Sequence, residues 1–255
     1  MASFLITGAS RGFGLALARE LVSLPATKVG KVIASARGDS PDLDELAKNS
    51  AGRVVVVRLD VTNQESIKQA AADVEAKLGG KGLDVLINNA GVCQYASDGV
   101  KSMDNLQESF TINVLGVHWV TRAFLPLLRK GNLKKVANIS SSTTFGSTTL
   151  AGATHILPAP AYKISKAALN ALTVQYALDH EKEGFSFIAL CPGWMKTALG
   201  GGDMADLTPE QGAKASLDII FTPGQKYNGQ MPKVLVKGWE KAEGINKYDG
   251  AIAPW

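Results

Sequence analysis

The sequence predicts an α/β fold in which one domain is built on a doubly wound parallel sheet with helices on both faces. Two observations carry this reading. Short apolar runs alternate with segments of helical spacing through most of the chain, and a glycine-rich stretch falls directly after the first run, where a strand turns into a helix. A length of 255 residues favours one core over two, so residues 1–255 are read as a single domain.

The first run, Phe4-Leu5-Ile6, is followed by Thr7-Gly8-Ala9-Ser10-Arg11-Gly12-Phe13-Gly14 and a helical segment from Leu15 to Leu24. Helix N-terminal N–H groups behind glycines that admit close approach make a pyrophosphate site, the signature of a Rossmann-type dinucleotide fold. The second run, Val32-Ile33-Ala34, leads to Ala36 and Arg37. A site for NAD places an acid at this point to hold the ribose 2'-hydroxyl. Here Arg37 and Arg11 offer guanidinium forks to a 2'-phosphate instead, which predicts NADPH, the alternative being a surface arginine with no partner.

The third run, Val54 to Val57, precedes Asp60-Val61 and a helix from Gln64 to Leu78; the fourth, Leu83 to Ile87, precedes Asn88-Asn89-Ala90-Gly91. A helix is expected from Leu106 to Leu128, kinked or cut short at Pro126. The fifth run, Val136 to Ile139, runs into Ser140-Ser141-Ser142, and after it comes a helical segment at Ala167 to His180, opened by Tyr162-Lys163-Ile164-Ser165-Lys166. A sixth run, Phe185 to Leu190, is followed by looser text: Pro192-Gly193, Gly200-Gly201-Gly202, a helix from Pro209 to Ile220 and a last strand near Val234 to Val236. The region at about 194–230 is a candidate substrate loop or lid.

Tyr162 and Lys166 are four positions apart, about one helical turn, and therefore share a face. An ammonium beside a phenol favours the phenolate and should bring the tyrosine nearer the working range of a proton donor. The pair gains weight from the glycine loop, Asp60-Val61, Asn88 to Gly91 and the serine run, each directly after a strand.

With these motifs in this order along nearly the whole chain, the sequence resembles the short-chain dehydrogenase/reductase superfamily. The segment Pro192-Gly193-Trp194-Met195-Lys196-Thr197 and the ending Tyr248 to Trp255 look like the sniffer and C-factor type of carbonyl reductase. The resemblance implies that Tyr162 protonates a carbonyl oxygen, that Lys166 lowers the tyrosine pKa and binds the nicotinamide ribose, that Ser141 holds the substrate oxygen, and that Asn113, in Phe110-Thr111-Ile112-Asn113-Val114, completes the catalytic set. Ser142 is the alternative serine. By the same carry-over Asp60 and Val61 flank the adenine, Asn88, Ala90 and Gly91 line the ribose, and Pro192, Gly193, Met195 and Thr197 touch the nicotinamide half. The stretch from Thr143 to Pro160 is longer than the family's usual pattern and is expected to rebuild the pocket wall. Trp194, Met195 and the apolar segment Leu150 to Leu157 are candidate pocket linings, core packing or loop filling being the alternative.

The expected activity is NADPH-dependent reduction of a ketone or aldehyde. Alternatives are the reverse alcohol oxidation, a ketoreductase of fungal-type secondary metabolism acting on an aromatic polyketide ketone, and a catalytically silent NADPH sensor. The expected partner is a small carbonyl compound, and the superfamily's habit implies a homodimer or homotetramer. The charge balance, 27 basic against 23 acidic side chains for a net +4, is spread along the chain, which argues against a nucleic-acid partner. Met1 to Thr7 carries no basic leader and its apolar run stops at Gly8, so a cytoplasmic protein with no membrane partner is expected. Cys93 and Cys191, the only cysteines, are read as small buried residues. With His118, His155 and His180 they give no metal-ligand spacing, and no metal is expected.

Overall fold

The structure is a computed structural model and describes residues 1–142, 157–242 and 247–254. Six strands, β1 (Ala2–Ile6), β2 (Val29–Ala36), β3 (Val54–Arg58), β4 (Val85–Asn88), β5 (Lys135–Ile139) and β6 (Ser186–Leu190), form one sheet in the order β3-β2-β1-β4-β5-β6. Every pairing between them is parallel. The connecting helices are α1 (Gly12–Ser23), α2 (Pro41–Lys48), α3 (Gln64–Leu78), α4 (Leu106–Phe110), α5 (Val117–Lys130), α6 (Pro160–Asp179) and α7 (Pro209–Ile220).

Alternate residues of each strand feed two separate cores, as the two-residue repeat of a strand requires. Phe4 and Ile6 of β1 pack with Leu17 and Leu21 of α1 and Leu217 and Ile220 of α7 on one face. Leu5, between them in sequence, packs on the other face with Ile67 and Val74 of α3 and Phe124 and Leu128 of α5. Both faces of the sheet are thus covered, which is why the strands read as continuous apolar runs. Lys135, at the start of β5, is buried and donates its ammonium to the carbonyls of Ile220 and Thr222, placing a cation at the C-terminus of α7.

Three expectations are corrected. Pro126 neither ends nor interrupts α5, which continues to Lys130; Pro126 and Arg122 are exposed, so the carbonyl left without an N–H faces water, while Leu127 and Leu128 stay buried. The helix expected to open at Tyr162 starts two residues earlier, at Pro160, since proline is well suited to a first helical turn. Finally, Val234 to Val236 forms no regular strand. Residues 229–234 instead run along the edge of β6, with Gly229 N donating to Phe187 O at 2.9 Å, Cys191 N to Pro232 O at 3.3 Å and Val234 N to Cys191 O at 3.2 Å. Pro232 has no N–H to offer, so the ladder is broken there.

Within the region proposed as a lid, loop and turn occupy the stretches on either side of α7, while α7 itself is packed into the core beside α1. Thr208 caps α7 in a capping box with Gln211, which fixes where the loop ends. Among the described residues no helix is long and apolar enough to cross a membrane.

Candidate active site

The strand order reverses between β1 and β4, and a ligand of an open parallel sheet binds outside the carboxyl ends of the strands at such a reversal. The loops holding the glycines, Arg37, Asp60-Val61, Asn88 to Gly91, the serines and Pro192 to Thr197 all leave the sheet at that end.

The glycine loop is locked by Asn89. Its side-chain amide donates to Thr7 O and Gly8 O, each at 2.9 Å, and the Thr7 hydroxyl accepts from Asn89 N at 2.9 Å and Ala90 N at 3.0 Å. Gly8 has φ +65°, and a Cβ there would lie 2.9 Å from Ala90 Cα; one on Gly14 would lie 2.4 Å from Gly8 O. The N-terminus of α1 has no side-chain cap and no acid in its first turn, so its N–H groups face the cleft without a protein anion. That arrangement fits a pyrophosphate. Phe13 is buried under the loop, Ser10 and Gly12 are partly exposed, and Arg11 is exposed.

Arg37 is exposed just past β2, close enough to Asp60 to help lower its pKa. Burial pushes the Asp60 carboxyl up, but its hydrogen bonds from Thr62 and the charge of Arg37 together bring it below the ordinary value. Asp60 Oδ1 accepts from Thr62 N at 2.9 Å and Thr62 Oγ1 at 2.7 Å. Val61 is buried against Gly116, where a Cβ would meet Val61 O at 2.9 Å. Asn88 turns its side chain away from the cleft into the core, donating to Asn138 Oδ1 at 2.8 Å and Thr121 Oγ1 at 3.1 Å; only its backbone is left for a ribose. Ala90 and Gly91 are partly exposed at the cleft.

Between α4 and α5 the helix widens into a π turn, Thr111–Gly116, a distortion that recurs at functional sites. It carries Asn113, whose Oδ1 accepts from Val92 N at 2.9 Å and whose Nδ2 donates to Val92 O at 3.0 Å and Ser165 Oγ at 2.9 Å. Ser165 Oγ in turn donates to Tyr162 O at 2.8 Å. Asn113 therefore ties the loop after β4 to the first turn of α6. A Cβ on Gly91 would sit 3.1 Å from Asn113 Oδ1 and 3.6 Å from Lys166 Nζ, so the glycine keeps this junction close.

Tyr162 and Lys166 come together as their spacing predicts, with Nζ 5.7 Å from the ring centroid. Lys166 Nζ donates to Ile139 O at 2.7 Å, and burial lowers its pKa to about 8. The tyrosine departs from expectation. Burial raises its pKa above the ordinary value, with the thiol of Cys93 adding to the rise and a hydrogen bond with Ser141 opposing it. The phenol is thus held protonated. Of the candidate serines, Ser141 is the one bonded to Tyr162, whereas Ser142 donates its N–H to Cys191 Sγ at 3.3 Å and Ser140 Oγ donates to Asn170 Oδ1 at 2.5 Å.

The loop Pro192 to Thr197 crosses back over the glycine loop, the methyl of Thr197 lying 3.4 Å from a Cβ built on Gly12. Gly193 has φ +84° and is hemmed in by Leu207 and Tyr248, while Pro192 is buried. Met195 sends its side chain into the core against Gly212, and Trp194 Nε1 donates to Gly200 O at 2.7 Å. Met195 is therefore core packing, while Trp194, partly exposed, uses its indole N–H to hold the loop. The proposed lining from Leu150 onward lies outside the described residues up to position 156.

The sequence reading took Cys93 for a small buried residue and gave Ser165 no role of its own. Cys93 is only partly buried, burial raises its thiol pKa to about 11, and Lys166 and Lys163 pull it down, which places it beside Tyr162 and Lys166 rather than in the core. Its position just after Asn88-Asn89-Ala90-Gly91 was the available signal. Ser165 could have been singled out because it lies one residue before Lys166 on the same helix.

Fold and site define a nicotinamide dinucleotide-binding α/β protein with a tyrosine, lysine, serine and asparagine gathered at the cofactor cleft. Residues 3–207 match the short chain dehydrogenase family, and the chain belongs to it. It is 34% identical over 226 residues to estradiol 17-beta-dehydrogenase 2 of Mus musculus, an alignment covering 88% of this chain and 56% of that protein; the chain thus spans little more than half the length of that relative. Among solved structures it is similar to the NADPH-bound carbonyl reductase from chicken fatty liver, with 31% identity, a TM-score of 0.83 and coverage of 100% and 99% of the two chains. The carbonyl reductase Sniffer of D. melanogaster gives 28% identity, a TM-score of 0.83 and full coverage of both chains.

Proposed function

We propose that the protein reduces a ketone or aldehyde to an alcohol with NADPH, Tyr162 supplying the proton. The observation that carries this is a phenol kept protonated by burial, hydrogen-bonded with Ser141 and one turn from Lys166. The bound cofactor supplies the hydride. As the carbonyl carbon accepts it, charge builds on the oxygen; the Ser141 and Tyr162 hydroxyls are donors for that oxygen, and Tyr162 transfers its proton to it. The ammonium of Lys166 then offsets the phenolate left behind. Two free thiols fit a reducing, cytoplasmic setting for the enzyme. The test is to follow NADPH oxidation against a panel of ketones, quinones and aldehydes; tight NADPH binding without turnover would favour a sensor instead.

Two further outcomes follow from this reading. Lys166 is charged below about 8 and neutral above it, and it is the charged form that supports the phenolate. The reduction rate therefore falls as pH rises through about 8, by about tenfold per unit on the alkaline limb; a rate flat from pH 7 to 10 removes the ammonium from the mechanism. Arg37, exposed beside the second strand's end, is assigned to the 2'-phosphate together with Arg11. Arg37→Ala is expected to raise KM for NADPH by about tenfold or more while leaving that for NADH nearly unchanged. Equal changes for both cofactors would show that Arg37 does not read the phosphate.

A further inference from the structure

The loop from Pro192 to Thr197 is held from a part of the chain remote in sequence. Tyr248 is buried, and its hydroxyl makes two bonds at once: it accepts from Trp194 N at 3.1 Å and donates to Asp206 Oδ2 at 2.6 Å. The Trp194 peptide is gripped from its other side as well, since Trp194 O accepts from Leu207 N at 3.0 Å and Leu207 O accepts from Lys196 N at 2.8 Å. Tyr248 is itself anchored. Its carbonyl accepts from Val236 N at 3.0 Å, its N–H donates to Trp239 O at 3.2 Å, and its ring lies 5.8 Å from that of Trp239. Gly193 makes room for the arrangement, because a Cβ there would lie 3.3 Å from Tyr248 Cε1 and 2.7 Å from Leu207 Cδ1.

We propose that Tyr248 is a positioning residue for the cofactor cleft: bridged between the Trp194 peptide and Asp206, its hydroxyl sets the height of the Pro192 to Thr197 loop over the glycine loop. The route is short. Three residues after Trp194, the Thr197 methyl faces Gly12, 3.4 Å from where a Cβ on that glycine would stand, and the Thr197 hydroxyl accepts from Gly200 N at 3.0 Å, so a shift of the Trp194 peptide is passed to the part of the loop that faces the first turn of α1. A phenylalanine at 248 would keep the ring packing yet leave the Trp194 N–H and the Asp206 carboxylate without this partner, and a bond to a charged group is the stronger kind. Burial and the bond to Asp206 both raise the phenol's pKa, so the bridge keeps its proton throughout the neutral range.

The proposal rests on the NADPH reading for the loop's ligand, but its test does not need turnover. Amide hydrogen exchange on the full chain is compared between wild type and Tyr248→Phe, alongside NADPH binding by calorimetry. The expected result is a loss of protection of about tenfold or more confined to the peptide covering Pro192 to Thr197, with NADPH dissociation raised by a similar factor. Wild-type protection and affinity in the variant would overturn it, as would protection lost evenly over the whole sheet, which is what a purely structural role predicts. Should Tyr248→Phe fail to fold, Asp206→Ala and Asp206→Asn decide the matter: alanine is expected to loosen the same peptide, asparagine, which keeps an oxygen acceptor, to restore part of its protection, and equal behaviour of the two would overturn the bridge. If the loop loosens as expected in a protein that reduces no carbonyl on the panel, the reductase reading fails and the positioning role stands.

Discussion

Tyr162→Phe is expected to lower kcat for carbonyl reduction by about a thousandfold, within the range for loss of a positioned general acid, while NADPH binding and thermal stability stay close to wild type. The substitution removes one oxygen and leaves the ring, so the packing of α6 is undisturbed; what disappears is the proton that burial keeps on the phenol and the bond it shares with Ser141. Ser141 remains able to donate one hydrogen bond to the substrate oxygen, so a residual rate above the uncatalysed one is expected. Single-turnover measurement at saturating NADPH separates this from a binding defect. A variant that keeps more than about a tenth of wild-type kcat would mean that the proton comes from elsewhere, and the Cys93 thiol, which lies close enough to Tyr162 to raise its pKa, would be the first group to replace.

The positions of these groups in the chain were largely legible before the structure. Each strand is buried on both faces and so reads as a plain apolar run, and each motif sits just past a run, where a parallel sheet presents its ligand-binding edge. Tyr162 and Lys166 were placed together by helical spacing alone, while Ser141 rested on strand alternation together with family resemblance and Asn113 on family resemblance. What stayed hidden depends on three-dimensional surroundings. The direction of the Tyr162 pKa is one case: spacing put a lysine beside it, but burial of the phenol, with the Cys93 thiol adding to the rise, outweighs that neighbour. Asn88 and Met195 are a second case, since a sequence places a residue at the cleft without showing that its side chain turns into the core. The π turn at Thr111–Gly116 is a third, because one widened turn hardly changes the apolar repeat on either side. The helix α2 also went unread; only Leu43 of its eight residues is buried, too little for an amphipathic pattern.

Gly14→Ala is expected to weaken NADPH binding by about a hundredfold, even though the residue has an ordinary helical backbone and lies in a helix where alanine is normally favoured by about 1 kcal/mol. Propensity loses here to space. A Cβ at position 14 would lie 2.4 Å from Gly8 O, 2.5 Å from Asn89 Nδ2 and 2.9 Å from Ala9 Cα, and two of these three are backbone atoms that no rotamer change can move. The same Asn89 amide holds Thr7 O and Gly8 O, so the intruding methyl group separates the loop after β4 from the loop after β1 and lifts α1 away from the position in which its first N–H groups face the cleft. Forcing a methyl group into a packed site costs about 1–3 kcal/mol, which should appear as a lowered melting temperature, and the displaced loop should appear as lost cofactor affinity. Comparison with Gly38→Ala tells the two apart, since a Cβ there meets nothing within 4 Å and the backbone entropy gain is the same in kind. If Gly14→Ala binds NADPH as tightly as Gly38→Ala does, close approach of the helix to the loop is not what forms the phosphate site, and the cofactor must be held chiefly by the side chains of Arg11 and Arg37.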